Sequence, residues 1–129
     1  MSWTFERLSG SALDFHGRSL PEDPEPALWW FEVDAPAVAL GSTQSEEILD
    51  PLACATAGVQ VVRRRSGGGA VMLVPGDTIW FDLIVPRGHP RWDDDIARAA
   101  WWVGDVVRRA IASDGDHDSG GIDVHRGPL

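Results

Sequence analysis

The sequence predicts an α+β fold. Three observations point there: a series of short apolar runs rich in strand formers, Pro- and Gly-marked turns between them, and one long stretch of helical periodicity. At 129 residues the chain is long enough for one core, because a domain of this size buries roughly two-thirds of its unfolded surface. Hydrophobic content of 43% with 24% charged residues places it among globular chains and excludes a disordered one.

Residues 1–20 carry only weak periodicity. Pro21, Pro24 and Pro26, interleaved with Glu22, Asp23 and Glu25, then make a stiff acidic loop. Residues 27–33 (Ala-Leu-Trp-Trp-Phe-Glu-Val) read as a strand. A second short strand, 37–40, follows the Asp34-Ala35-Pro36 turn, so the simplest expectation is two strands around a Pro turn. Asp50 as cap, Pro51 at the first helical position and Gly58 as a left-handed stop punctuate a short helix. Cys54 lies inside it and is expected to be a buried small hydrophobe. Residues 59–62 form a strand that runs into Arg63. Residues 70–74 and 78–85 flank a Pro75-Gly76-Asp77 turn and predict an antiparallel hairpin. Beyond a loop at 86–90, Asp93, Asp94 and Asp95 suit the positive end of a helix dipole. Ile96, Ala99, Ala100, Val103, Val107, Ala110 and Ile111 then recur at helical spacing, with Arg108 and Arg109 in the last turn. Residues 113–121 read as a polar linker and 122–125 as the start of one more strand. With no partner strand or terminal helix after it, the expectation is an incomplete domain.

The formal net charge of −9 argues against nucleic acid or an anionic membrane as the main partner. All 11 cations are Arg, which the codon bias of a GC-rich genome would produce; the bias also removes any lysine from consideration as catalyst or phosphate ligand. A single cysteine cannot form an internal disulfide and suits a reducing compartment. The N-terminal residues lack a signal-peptide core, and no segment has the length of a membrane span, so the expected location is cytoplasmic.

The chemistry concentrates in one loop, Arg63-Arg64-Arg65-Ser66-Gly67-Gly68-Gly69-Ala70-Val71. Three consecutive glycines expose backbone N–H groups with no Cβ in the way and can curve around an anion. Arginine beside them supplies a planar fork for phosphate or carboxylate oxygens, and Ser66 adds a hydroxyl. A P-loop is excluded, because it would end in Gly-Lys-Ser/Thr. The dinucleotide fingerprint is excluded because Met72 stands where its third glycine belongs and a strand follows in place of a helix. Spacing alone leaves open a plain glycine-rich hairpin with solvated arginines.

This loop resembles the signature of the lipoate–protein ligase A family. The upstream stretch Pro36-Ala37-Val38-Ala39-Leu40-Gly41-Ser42-Thr43-Gln44 is similar to that family's preceding element, a short strand ending in Gly-x-x-Gln. The resemblance is good over residues 36–85 and loose on the flanks, and it makes residues 1–129 the N-terminal part of one catalytic domain. It implies the biotin/lipoate ligase-like (class II synthetase-like) α+β fold, a mostly antiparallel mixed sheet flanked by helices. It implies ATP, with Mg, and lipoate or octanoate as substrates. An acyl-adenylate forms first, and a lysine of a lipoyl carrier domain, in a dehydrogenase complex or the glycine cleavage system, then takes the acyl group. By similarity Arg64 and the backbone of Gly69, Ala70, Val71 and Met72 contact the adenylate, while Ser66, Gly67 and Gly68 shape the loop. Trp80, Phe81 and Met72 are candidates for an acyl tunnel and equally for ordinary core.

The chain departs from the family in two places. Met72, Leu73 and Val74 stand where relatives often carry an aromatic, a histidine and an aspartate. The family's essential lysine lies in a later segment, so this chain alone is expected to be inactive. Two further readings stay open: an octanoyltransferase of the same fold, against which the place of Cys54 in a helix counts, and a non-catalytic or split subunit. Smaller features read as structural. Asp114, Asp116 and Asp118 alternate like a calcium loop, but Ser119 replaces its glycine and His125 its bidentate acid. His16, His89, His117 and His125 show no metal spacing, and one ring of Trp101-Trp102 is expected to pack inward.

Overall fold

The computed structural model describes residues 2–113 and 121–127, which fall into two compact units, Met1–Pro86 and Arg87–Leu129. The calcium-like aspartates and His117 lie outside the described residues.

The first unit runs β1 (Thr4–Gly10), α1 (Ala12–Gly17), β2 (Ala27–Val33), β3 (Ala37–Leu40), a 3-10 turn (Glu46–Ile48), α2 (Pro51–Thr56), β4 (Gln60–Arg63), β5 (Val71–Leu73) and β6 (Trp80–Ile84). The strands form two three-stranded sheets, ordered β1-β2-β6 and β4-β3-β5. In each, the central strand has a parallel neighbour on one side and an antiparallel one on the other. The expected α+β class with mixed sheets is therefore present, with pairings divided evenly instead of mostly antiparallel.

One expected strand pair is absent among the described residues. β5 and β6 do not form a hairpin: β5 pairs with β3 (Ala37↔Leu73, Ala39↔Val71) and β6 with β2 (Leu28↔Leu83, Trp30↔Phe81). The turn between them is nonetheless built as its residues demand. The amides of Asp77 and Thr78 both donate to the Val74 carbonyl at 3.1 Å, and the Val74 amide donates to Thr78 Oγ1 at 2.8 Å. The turn carries the chain from one sheet to the other. The Pro36 turn does the same, so β2 and β3 are not partners either. Alternation of apolar residues specifies which face a strand buries and leaves its neighbour undetermined.

The short helix α1, together with β1 before it, gave little signal in the sequence, yet α1 joins the two sheets. Ser11 caps it by accepting from the Asp14 amide at 3.1 Å. Its buried residues Ala12 and Phe15 are three apart and share a face. Ala12 enters a cluster with Ala37, Ala39, Val62 and Leu73, and Phe15 enters another with Ala27, Trp29, Phe31 and Ile84. Val33 and Trp80 pack against both clusters. Phe15 lies 4.7 Å from the Phe31 ring centroid and meets Trp80 edge-on at 5.6 Å, a geometry aromatic quadrupoles favour.

The helix α2 has the expected punctuation. Asp50 Oδ1 accepts from the amides of Leu52 and Ala53 at 3.0 Å each, and Gly58 takes φ +67°. It buries no residue, so Cys54 is half-buried and does not belong to the core.

The second unit is built on α3 (Ile96–Ser113). Asp95 caps it through the Arg98 amide at 3.1 Å, and Asp93 pairs with the Arg98 guanidinium at 2.8 Å. Residues 122–126 form no strand and run irregularly beside the helix. A Cβ on Gly104 would stand 2.7 Å from Val124 Cγ1, so the glycine permits this approach. Trp101 and Trp102 are both half-buried, with Arg126 over the first ring and Arg91 over the second, each at 5.7 Å. Among the described residues, no helix is long and apolar enough to cross a membrane.

Candidate functional site

The arginine–glycine loop owes its position to sheet order. β4 runs parallel to β3 with Leu40↔Arg63 in register, and β5 runs antiparallel on the other side with Ala39↔Val71. Residues 64–70 must therefore arch over the C-terminal end of β3. The chain leaving β3 there is the Gly41–Gln44 element, so the fold brings the two motifs together.

Hydrogen bonds lock them. The Arg64 amide donates to the Leu40 carbonyl and the Ser42 amide to the Ser66 carbonyl, both at 2.9 Å. Arg63 Nη1 donates to the carbonyls of Gly41 (2.9 Å) and Gln44 (2.7 Å), and Gln44 Oε1 accepts from the Gly41 amide at 2.9 Å. Gly41 is buried, and a Cβ placed on it would stand 2.0 Å from the Gly68 carbonyl oxygen. Only glycine lets the loop lie this close. Gly68 itself has φ +99°, the left-handed region, and a side chain there would press on Arg64 Nη2 at 3.0 Å.

The three arginines have separate tasks. Arg63 ties the loop to residues 41–44. Arg65 reaches the other way: its Nη2 donates to the His16 carbonyl at 3.1 Å and also to the Arg18 carbonyl, and its Nε donates to His16 O at 3.3 Å. This anchors the loop to the end of α1. Arg64 lies along its own loop, with Nη1 donating to Ser66 Oγ at 3.0 Å and Nη2 to the Gly69 carbonyl at 2.8 Å. Its Nε is buried without a hydrogen-bond partner. A guanidinium held at two corners with a third donor unspent is organised in advance for an anionic oxygen. Ser66, Gly67, Gly69 and Ala70 are exposed, which leaves this arch open to a ligand.

Of the residues expected at the site, Arg64, Ser66, Gly67, Gly68, Gly69 and Ala70 stand together on the arch. Val71 and Met72 begin β5 with 44% and 46% of their surface exposed, so both are accessible from the edge of that sheet. Trp80 is part of the packing between the two clusters, and Phe81 stacks on Trp30 at 6.4 Å. Cys54 sits on α2, away from the arch contacts.

Sequence reading missed His16. Its ring lies 4.5 Å from that of Trp80, and its Nε2 is buried without a partner. Burial holds its pKa below the ordinary histidine value, and the charges of Arg64 and Arg65 lower it further against an opposing pull from Asp82. The signal that was available is the Ser11-x-x-Asp14 cap, which marks a helix start.

Residues 14–118 match the model of the lipoyl protein ligase A/B catalytic domain. The chain belongs to that family. Among solved structures, it superposes on a T. acidophilum protein assigned as a lipoate protein ligase, with bound lipoic acid, at a TM-score of 0.70 and 21% identity, covering 96% of this chain and 55% of that one. It also superposes on a lipoate-protein ligase A bound with ATP, at a TM-score of 0.71 and 21% identity, covering 96% and 54%. No curated protein sequence matches it. This lipoyl-ligase-family chain thus shares the fold of those structures and spans about half their length. Its arginine–glycine arch lies within the segment that the family model covers.

Proposed function

We propose that the arch and the start of β5, residues 64–72, bind the adenylate in a lipoate–protein ligase reaction, and that residues 1–129 are the N-terminal part of the domain that carries it out. In that reaction the carboxylate of lipoate or octanoate attacks the α-phosphate of ATP, brought in as its Mg complex, and releases pyrophosphate. A carrier-domain lysine then attacks the acyl carbon and releases AMP. The observation that carries the proposal is Arg64, fixed by Ser66 and Gly69 with its buried Nε unspent beside exposed glycines. Charge on phosphate rises in the transition state, and donors held in place beforehand stabilise it without reorganisation. Family membership and structural neighbours containing lipoic acid and ATP support the same reading.

The chain contains no lysine, so the remainder of such a site has to come from elsewhere. Purified as these residues, it is expected to show no lipoate-dependent ATP–pyrophosphate exchange, and exchange above background would overturn that part. Replacing Arg64 with Ala should weaken binding of a hydrolysis-resistant phosphonate analogue of lipoyl-AMP roughly tenfold or more, the value of one charged hydrogen bond. Its melting temperature should change little. Equal loss of binding and folding would sink the assigned role. A cytoplasmic location and docking of lipoyl carrier domains belong to the same proposal.

A further inference from the structure

We infer that His16 is a second ligand contact of this site, its Nε2 meeting a phosphate oxygen of the adenylate that Arg64 also binds. The inference rests on the proposed adenylate-binding role of the arch. Three observations lead to it. Two buried side-chain nitrogens, Arg64 Nε and His16 Nε2, both lack a partner within the chain. Arg65, next to Arg64, clamps the His16 carbonyl at 3.1 Å, so the backbone carrying one orphan is tied to the loop carrying the other. The His16 ring lies on Trp80 at 4.5 Å with an interplanar angle of 31°, and its Nε2 is buried there.

A histidine kept only to cover Trp80 would be a poor choice. Phenylalanine would cover the same indole and bury no unpaired nitrogen, and an unsatisfied buried polar group costs stability. Burial favours the neutral form of the imidazole, and Arg64 and Arg65 oppose its protonation against the pull of Asp82. Neutral imidazole with hydrogen on Nε2 donates to an anionic oxygen without adding a cation beside the arginines. A phosphate presents several oxygens, so separate oxygens of one group would face Arg64 Nε and His16 Nε2.

The test uses the full chain, the phosphonate analogue of lipoyl-AMP as probe, and three variants: His16→Phe, His16→Gln and Arg64→Ala. Calorimetry gives the affinities, and nitrogen-15 NMR of the labelled imidazole follows Nε2 during titration. The expected result is a displaced Nε2 resonance at saturation. His16→Phe should bind roughly tenfold more weakly than the parent, and His16→Gln, which restores a donor, should recover part of the loss. If Nε2 does not move on saturation, the inference fails, whatever the affinity of the variants. If His16→Phe binds as tightly as the parent while Arg64→Ala does not, His16 is packing only and the arch reading survives. If Arg64→Ala binds like the parent, or the parent does not bind the probe, the arch reading fails and His16 falls with it. Should His16→Phe not fold, the Nε2 resonance of the parent decides.

Discussion

Gly41→Ala should damage this protein by one route, the closeness of the arch to the end of β3. The added Cβ would stand 2.0 Å from the Gly68 carbonyl oxygen and 3.0 Å from its carbon. Real Cβ atoms essentially never come within 3.0 Å of such a neighbour, so the arch must retreat by at least about 1 Å. The obstacle is backbone on both sides and cannot swing away as a side chain would. Retreat stretches the bonds from the Ser42 amide to Ser66 O and from Arg63 to Gly41 O, both 2.9 Å at rest. Overpacking costs about 1–3 kcal/mol and each of the two weakened hydrogen bonds about 1 kcal/mol, so a loss of about 3–5 kcal/mol is expected. Urea unfolding followed by tryptophan fluorescence measures it. Gly69→Ala is the matched control, because a Cβ there meets nothing within 4 Å and the backbone is not in the left-handed region. That variant should stay within about 0.5 kcal/mol of the parent. Equal midpoints for the two variants would show that the arch does not lie against β3 as described.

Phe31 is 1% exposed and contacts Phe15, Trp29 and Trp80, so Phe31→Ala should cost about 3–5 kcal/mol in the same unfolding experiment; a loss below about 1 kcal/mol would place it outside the core. His16 gives a pH dependence whose sign is fixed. Its folded pKa lies below the ordinary value near 6.5, so the unfolded chain takes up a proton that the folded chain resists. This contribution is fully present above about pH 6.5 and is lost as the pH falls from there toward the folded pKa. His16→Gln should therefore flatten the fall in urea midpoint between pH 7.5 and 5.5, and an unchanged slope would refute the burial of the imidazole.

Much of the secondary structure was legible because its determinants are local. Asp50-Pro51, the Pro75-Gly76-Asp77 turn and the periodicity from Ile96 to Ile111 each declare themselves within a few residues. Strand neighbours were not legible, because the 34–36 and 74–78 turns serve equally to close a hairpin or to pass between sheets. α1 was lost because six residues hold too few apolar positions to show a period, although two of them, Ala12 and Phe15, are buried. At the site, the spacing of Gly41 and Gln44 against Arg63 was visible through resemblance to a family, and their mutual hydrogen bonds explain the spacing. The division of labour among the three arginines was invisible. Identical side chains in a row differ only in where the backbone aims them, and that is settled by β3 on one side and α1 on the other.

The seven residues between β4 and β5 join strands that flank a third, so their ends are about two strand spacings apart, roughly 9–10 Å. Stretched out, seven residues would reach more than twice that distance. The surplus chain is what rises into an arch, and its length sets how closely Gly68 settles on Gly41. Deleting one glycine would remove no functional side chain, yet it would draw the strap toward a straight line and pull Gly68 out of its seat on Gly41. An inserted glycine would leave slack that neither Arg63 nor Arg65 could take up. Loop length is thus as much a determinant of this site as the residues that line it.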